Sequence, residues 1–320
     1  MGTVVAPVEQ SLHEVEALLY RQAEGFHQDL EAALHHLLRA GGKRIRPTVA
    51  LLSGRLVEAA EDRLITLAAA LEMLHTATLV HDDLIDGALL RRGVPTLNAQ
   101  WSPAATVLTG DFLFARAAKL ISQTHCVPVI EMFAETLSII VNGEIHQMFE
   151  GGRYTDKEAY YWRIYAKTAS VFELATVGAG KLGEPTPEQA QALQRYGYAV
   201  GMAFQIMDDV LDFRGETQRM GKPVGHDLRN GLITLPSLLY YLEHPQDPAL
   251  QRLMAGERLK RDEVEALIRR IQDSDALPQA VDEARRFVDE AVEALRGAFP
   301  PQPEREALIS LADYIVERDH

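Results

Sequence analysis

Apolar residues recur with the period of a helix along almost the whole of this chain. Helix-spaced patterns cover about 8–39, 47–59, 62–86, 103–123, 127–150, 156–182, 187–213 and 232–243, with several more from about 260 onward. Pro47 and Pro187 stand where a first helical turn would begin, since that position has no intrahelical N–H bond to lose. Gly41-Gly42, Gly151-Gly152 and Gly183 stand at expected helix ends. No run alternates convincingly as a half-buried strand would. The predicted fold class is therefore all-α, a single large helical bundle. The patterns at 127–150 and 187–213 are apolar around much of their circumference, as central helices should be.

Polar residues interrupt this pattern in two informative places. Asp82-Asp83-Leu84-Ile85-Asp86 and Asp208-Asp209-Val210-Leu211-Asp212 each read D-D-x-x-D, and each ends an apolar helical stretch. On a helix the first and last aspartates of a set share a face, with the middle one beside them. One such pattern alone is usually a solvated acidic helix end. Two of them, inside LVHDDLID and FQIMDDVLDF, put carboxylates among core-like neighbours and make them the lining of a cavity. Carboxylates gathered in that way repel one another unless divalent cations bridge them. Hard oxygen donors with room for water suit Mg²⁺ holding a phosphorylated substrate. The second interruption is 214–231 (RGETQRMGKPVGHDLRNG), which is polar, glycine-rich and basic and reads as a mobile flap after the second acidic set.

The remaining bulk properties narrow the reading further. The chain has 320 residues, 47% apolar and 24% charged, an ordinary balance for a soluble globular protein. No Pro/Gly/Ser-rich linker or low-complexity run divides it, so 1–320 is expected to form one domain. Nothing beyond the acidic sets recurs, which excludes a solenoid. A net charge of −14 argues against a nucleic-acid partner, which needs a basic stripe. The single cysteine, Cys126, fits a reducing compartment and a core position. The N-terminal residues lack the basic region and apolar run of a signal peptide or transmembrane helix, and MGTVVA is no myristoylation signal. A cytoplasmic location is expected.

Basic residues supply the counterpart to the acid. Gly41-Gly42-Lys43-Arg44-Ile45-Arg46-Pro47 is a glycine turn carrying cations into a helix, and its backbone donors with Lys43 and Arg46 make a phosphate cradle. Taken alone, such a segment is more often a solvated loop. Arg91-Arg92-Gly93 follows Asp86 closely, and paired guanidinium groups beside a metal site suit a diphosphate. Lys222 lies in the flap. His75 precedes Asp82 by seven residues on the same stripe, which points it at the cavity as a phosphate donor. The pair His81-Asp82 could belong to a metal phosphohydrolase, but His125, His146 and His226 do not complete such a ligand set. Lys167-Thr168 and Gln205 are weaker pieces. A hydroxyl and an amide in an apolar cavity are usually satisfied structural groups, yet they could aim oxygen dipoles at a developing cation.

Together these residues resemble the trans (head-to-tail) isoprenyl diphosphate synthases, the polyprenyl synthetase family. The matching stretches are GGKRIRP, EMLHTATLVHDDLID, RRGVPT, LTGDFLFARA, Lys167-Thr168, FQIMDDVLDF and GKPVGHDLRNGLITLP, in family order over about 41–240. The resemblance implies an all-α bundle around a deep central cavity, usually a homodimer, with three Mg²⁺ per active site. It implies that Asp82, Asp86 and Asp208 bind the metal, with Asp83, Asp209 and Asp212 assisting. Arg91, Lys167 and Lys222 would hold an allylic diphosphate, and Lys43, Arg46, His75 and Arg92 isopentenyl diphosphate. Thr168 and Gln205 would stabilise the carbocation. One departure stands out: Leu232 follows Gly231 where some members carry a lysine. The last 80 or so residues carry no motif and are expected to be supporting helices.

In this family bulky aromatics four or five residues before the first acidic set stop the product early. Here those positions are Thr78 and Ala77, with Leu74 a turn deeper, so the tail should pass and the product should exceed C20. Phe112, Phe114 or Met132 could still close the cavity floor. The alternatives are a short geranylgeranyl or farnesyl product, a terpene cyclase or head-to-head synthase, and a catalytically weak subunit of a heteromeric synthase. Intact acidic sets and the GGKRIRP segment favour elongation over the cyclase, head-to-head and subunit readings.

Overall fold

The computed structural model describes residues 2–39, 42–91, 93–150, 156–214 and 224–318. Most of the described chain is helical. Pro103–Gln123 and Val127–Glu150 span the ranges that periodicity gives, and Ile45–Arg55, Glu61–Ile85 and Pro187–Arg214 differ from theirs by a few residues at the ends. Three expectations need correction. The pattern at 8–39 is two helices, Glu9–Arg21 and Gln28–Arg39, parted by a turn in which Gly25 takes a positive φ of 81°. The pattern at 156–182 holds a π-helical turn, Tyr165–Ala169, between Lys157–Ile164 and Ser170–Gly180. A two-residue antiparallel ladder also exists, Leu90–Arg91 (β1) with Val94–Pro95 (β2), in which Arg91 pairs with Val94.

The chain separates into two compact units. One comprises Met1–Glu135, Glu173–Gln194 and Leu295–Ser310; the other comprises Thr136–Phe172, Arg195–Ala294 and Leu311–His320. The boundaries fall inside helices and not in linkers.

The first unit is built on Glu61–Ile85, which packs against Glu9–Arg21, Ile45–Arg55 and Pro103–Gln123. Leu64, Leu67, Leu71 and Leu74 are fully buried, and the small run Ala68-Ala69-Ala70 lets neighbouring helices approach closely. Each such leucine contributes about 1.5–3 kcal/mol of burial energy. This helix is long and apolar enough to cross a membrane, but 72% of its most apolar stretch is buried within the protein. Its apolar faces already have partners, as expected of a core helix.

The second unit centres on residues 195–214, with Tyr160, Tyr196, Phe172 and Phe213 as its largest fully buried side chains. The short helix His226–Arg229 packs on Arg261–Gln272. Gly225, at its start, has φ 66°, and a Cβ there would lie 2.4 Å from Ile268 Cδ1, so a side chain at this position would be strained and would push Ile268 aside. Of the expected flap at 214–231, residues 215–223 lie outside the described residues.

Candidate active site

In the first unit, Glu61–Ile85 delivers its acidic set at its C-terminal end. Asp82 is half-buried, Asp83 buried and Asp86 exposed, and the Asp86 N–H donates to the Asp82 carbonyl at 2.8 Å. The β1–β2 hairpin turns Arg91 back onto Asp83. Arg91 Nε lies 2.9 and 3.0 Å from the two carboxylate oxygens, and Nη2 lies 2.8 Å from Oδ1. Asp83 therefore meets a guanidinium before any ligand arrives. Arg92 lies outside the described residues.

Upstream on the same helix His75 is half-buried, and its carbonyl accepts the Thr78 hydroxyl at 2.8 Å. Leu74 and Ala77 are fully buried, whereas Thr78 is half-buried. His81 points elsewhere: its Nε2 is 3.1 Å from the Val107 carbonyl and 3.6 Å from Asp111, on the neighbouring helix. Phe114 packs on His81, and Phe112 packs edge-on against Phe26. In the basic turn Gly41 lies outside the described residues, Lys43 is exposed and Arg46 is half-buried in the first helical turn. Arg44 has a structural role. It takes the left-handed conformation, with φ 49°, and spans Glu72 at 2.5 Å and Glu16 at 3.3 Å.

In the second unit every aspartate of the acidic set has a distinct partner. Asp208 accepts from Arg318 Nη2 at 2.8 Å. Asp209, 2% exposed, accepts from the Tyr160 hydroxyl at 2.8 Å and from Gln205 Nε2 at 2.9 Å, with Arg163 Nη2 at 3.5 Å. Asp212 accepts the backbone N–H groups of His226 and Asp227, both at 3.1 Å, which the constrained Gly225 turn orients. Burial pushes Asp209 up to about 6 against the pull of Arg163, and nearby Asp227 adds to the rise. Burial and Asp227 push Asp212 up to about 7. Both shifts mark carboxylates held out of water, with the neighbouring Asp227 adding to each, and a bound cation would oppose them.

The π-turn carries Lys167 and Thr168. The Ser170 N–H reaches back to the Tyr165 carbonyl, five residues earlier. Neighbouring helices hold this wider turn through two glycines. A Cβ at Gly143 would lie 2.7 Å from Ala166 Cβ, and one at Gly201 would lie 2.4 Å from Ala169 Cα. Lys167 Nζ pairs with Glu144 at 3.0 Å. Thr168 Oγ1 donates to Gln205 Oε1 at 2.6 Å. The Thr168 oxygen keeps both lone pairs and the Gln205 oxygen keeps one, so either can face a cation.

Among the described residues no three His, Cys, Asp or Glu side chains converge to hold a metal alone. The donor chemistry still fits a hard divalent ion whose shell is completed by water and phosphate, as Mg²⁺ prefers. Asp82, Asp86 and Asp208 are at least partly exposed, whereas Asp83 and Asp209 are buried on protein donors. Lys222 lies outside the described residues. Sequence reasoning missed four groups: Tyr160, Arg163, Asp227 and Arg318. Tyr160 and Arg163 were within reach, since they precede Lys167 by seven and four residues on one helical stripe. Arg318 corrects the view of the C-terminal helices as mere support.

Comparison with known proteins agrees with this geometry. Residues 27–271 match the family model described as polyprenyl synthetase. The octaprenyl diphosphate synthase of Escherichia coli (strain K12) is 36% identical over 313 residues, covering 97% of this chain and 96% of that one. The heptaprenyl diphosphate synthase component 2 of Geobacillus stearothermophilus is 38% identical over 317 residues, covering 98% and 97%. Among solved structures, a polyprenyl synthase from Caulobacter crescentus CB15 complexed with calcium and isoprenyl diphosphate superposes with a TM-score of 0.91 at 35% identity, covering 99% of this chain and 98% of that one.

Proposed function

This chain belongs to the polyprenyl synthetase family, and from that premise we propose that it joins isopentenyl diphosphate head to tail to an allylic diphosphate, giving a linear trans-polyprenyl diphosphate longer than C20. It is a prenyltransferase of isoprenoid biosynthesis. The observation that carries the reading is the shared build of the two acidic sets. In each, the middle aspartate is buried on protein donors that include an arginine, Arg91 for Asp83 and Arg163 for Asp209. The first aspartate of each set is partly exposed.

In this reading Asp82, Asp86 and Asp208 bind Mg²⁺, three ions per site, with Asp212 assisting and Asp83 and Asp209 fixing the local frame. The calcium in the Caulobacter relative supports a divalent ion. Bound Mg²⁺ supplies neutralisation of the charge that grows on a departing diphosphate. Arg91, Lys167 and Lys222 hold the allylic diphosphate while its C–O bond ionises. Lys43, Arg46, His75 and Arg92 hold isopentenyl diphosphate so that its double bond meets the cation. Thr168, its proton committed to Gln205, turns an oxygen lone pair toward that cation, and apolar walls exclude water. The proton lost at the end goes to the released diphosphate.

We also propose a cytoplasmic homodimer built from one catalytic domain of 1–320. Val141, Ile145, Met148 and Phe149 support the dimer: they form an exposed apolar stripe at helical spacing, with Phe149 82% exposed. Light scattering on the purified chain tests it. The relative named as a component 2 favours a second reading, in which the chain works with a different partner subunit.

Incubation of the purified protein with Mg²⁺, labelled isopentenyl diphosphate and farnesyl diphosphate, followed by chromatography of the products, decides among these. Labelled linear prenols beyond C20 are expected. Cyclic or head-to-head hydrocarbons would defeat the proposal, and product only after a partner is added would establish the second reading.

A further inference from the structure

The final helix, Pro303–Glu317, leads into a side chain that the chemistry above leaves unassigned. Arg318 continues the helix, its N–H on the Tyr314 carbonyl at 3.1 Å, and only 7% of its side chain is exposed. Nη2 donates to the Phe204 carbonyl and to Asp208 Oδ1, both at 2.8 Å. The guanidinium carbon lies 4.1 Å from the centre of the Phe204 ring, a close cation–π contact. Three fixed features therefore pin one end of a side chain whose other end extends the helix Pro303–Glu317.

Asp208 is different in kind: 42% of its side chain is exposed, so water could solvate it without help. Burying an arginine beside a half-exposed carboxylate brings little stability, because the arginine loses more hydration than the pair recovers. What the contact does achieve is orientation. It holds Oδ1 from one side and so fixes the plane in which the carboxylate faces an incoming cation. Mg²⁺ takes carboxylates through single oxygens at about 2.0–2.1 Å and tolerates little distortion. A carboxylate already fixed in that pose loses no rotamer freedom when the ion arrives.

We infer that Arg318 is a positioning residue for Asp208, holding its carboxylate in the orientation in which it takes up a divalent cation. The inference rests on the reading of Asp208 as a metal ligand. It gives Arg318 a part in the site, at a sequence separation of 110 residues.

The test uses the full chain, with Arg318→Met, Arg318→Lys and Asp208→Asn. Mn²⁺ is titrated and the free ion is followed by its electron paramagnetic resonance signal, with metal-free melting temperatures recorded alongside. Loss of an outer partner of a metal ligand weakens metal affinity about 10-fold or more, and that is the result expected for Arg318→Met. Arg318→Lys keeps the charge without the planar fork and should fall between that variant and the parent. Phe204→Leu removes the ring and leaves the carbonyl, and should weaken Mn²⁺ in the same direction if Arg318→Met does not fold. Parental affinity in the Arg318 and Phe204 variants, beside a weakened Asp208→Asn, overturns the inference and leaves Arg318 a packing residue. Parental affinity in Asp208→Asn removes the metal role of Asp208 itself, and the inference falls with it.

Discussion

Arg91 and Asp83 form a two-point ion pair, with Nε 2.9 and 3.0 Å from the two carboxylate oxygens. In the second acidic set, Tyr160, Gln205 and Arg163 converge on Asp209. The middle letter of each D-D-x-x-D is thus an anchor that ties a helix end to its surroundings.

Removing Arg91 strands a buried carboxylate. Arg91→Ala should cost about 1–3 kcal/mol of stability, and the Asp83→Asn/Arg91→Ala double variant should cost little more than the worse single change. Urea unfolding of the four proteins measures the coupling; losses that simply add would show that the pair does not act as a unit.

Acidity should stabilise the metal-free protein locally. Asp212 is raised to about 7 and Asp209 to about 6, while an unfolded aspartate titrates near about 3.9. Over that window the folded protein binds more protons than the unfolded chain, so this contribution to stability falls as pH rises from about 4 to about 7. In EDTA, Asp212→Asn should melt above the parent at about pH 8, with the gap closing toward about pH 5. An equal gap at both ends would mean that Asp212 titrates as an ordinary carboxylate. Mg²⁺ with inorganic pyrophosphate should raise the parent's melting temperature at the alkaline end more than the variant's.

Two glycine substitutions should part company. Gly201→Ala forces a Cβ against the Ala169 backbone and should cost about 1–3 kcal/mol, with a drop in kcat as Lys167 and Thr168 shift. Gly297→Ala meets nothing within 4 Å in a helix and should be neutral or stabilising, by up to about 1 kcal/mol. Thermal melts and initial rates check both, and a harmless Gly201→Ala would refute the close-packed account of the π-turn.

Product length should respond to Ala77 and Thr78. Ala77→Phe should shorten the product, at some cost in stability because Ala77 is fully buried. Thr78→Phe, at a half-buried position, should shorten it with a smaller melting change. Chromatography of the prenols settles the matter: unchanged length in both variants would refute the ruler argument.

Local signals were legible in the sequence, and distant ones were not. Pro103–Gln123 could be placed because its periodicity is strong and Ser102 caps it, accepting the Ala105 N–H at 3.3 Å. Both acidic sets announced themselves because charge inside an apolar run is costly without a purpose. The turn at 22–27 was hidden because apolar spacing continues across it. The π-turn at 165–169 was hidden because Gly143 and Gly201, on other helices, make room for it. Asp227 looked like one more polar residue of a loop until Gly225 brought its N–H onto Asp212. Nothing local ties Arg318 to Asp208 either; only tertiary folding joins them.

The wide turn at Tyr165–Ala169 makes this helix sensitive to the number of its residues as well as to their kind. An α-helix rotates by about 100° per residue. The π-turn fits one residue more than an α-helical turn into the same rotation, so deleting one residue inside 165–169 would let it rewind as ordinary helix with Lys157–Ile164 and Ser170–Gly180 still in phase. Tyr160 and Arg163 would stay on Asp209, whereas Lys167 and Thr168 would lose the positions that the extra residue gives them, so a frame-preserving loss of a single codon would keep the anchor and still displace the polar pair.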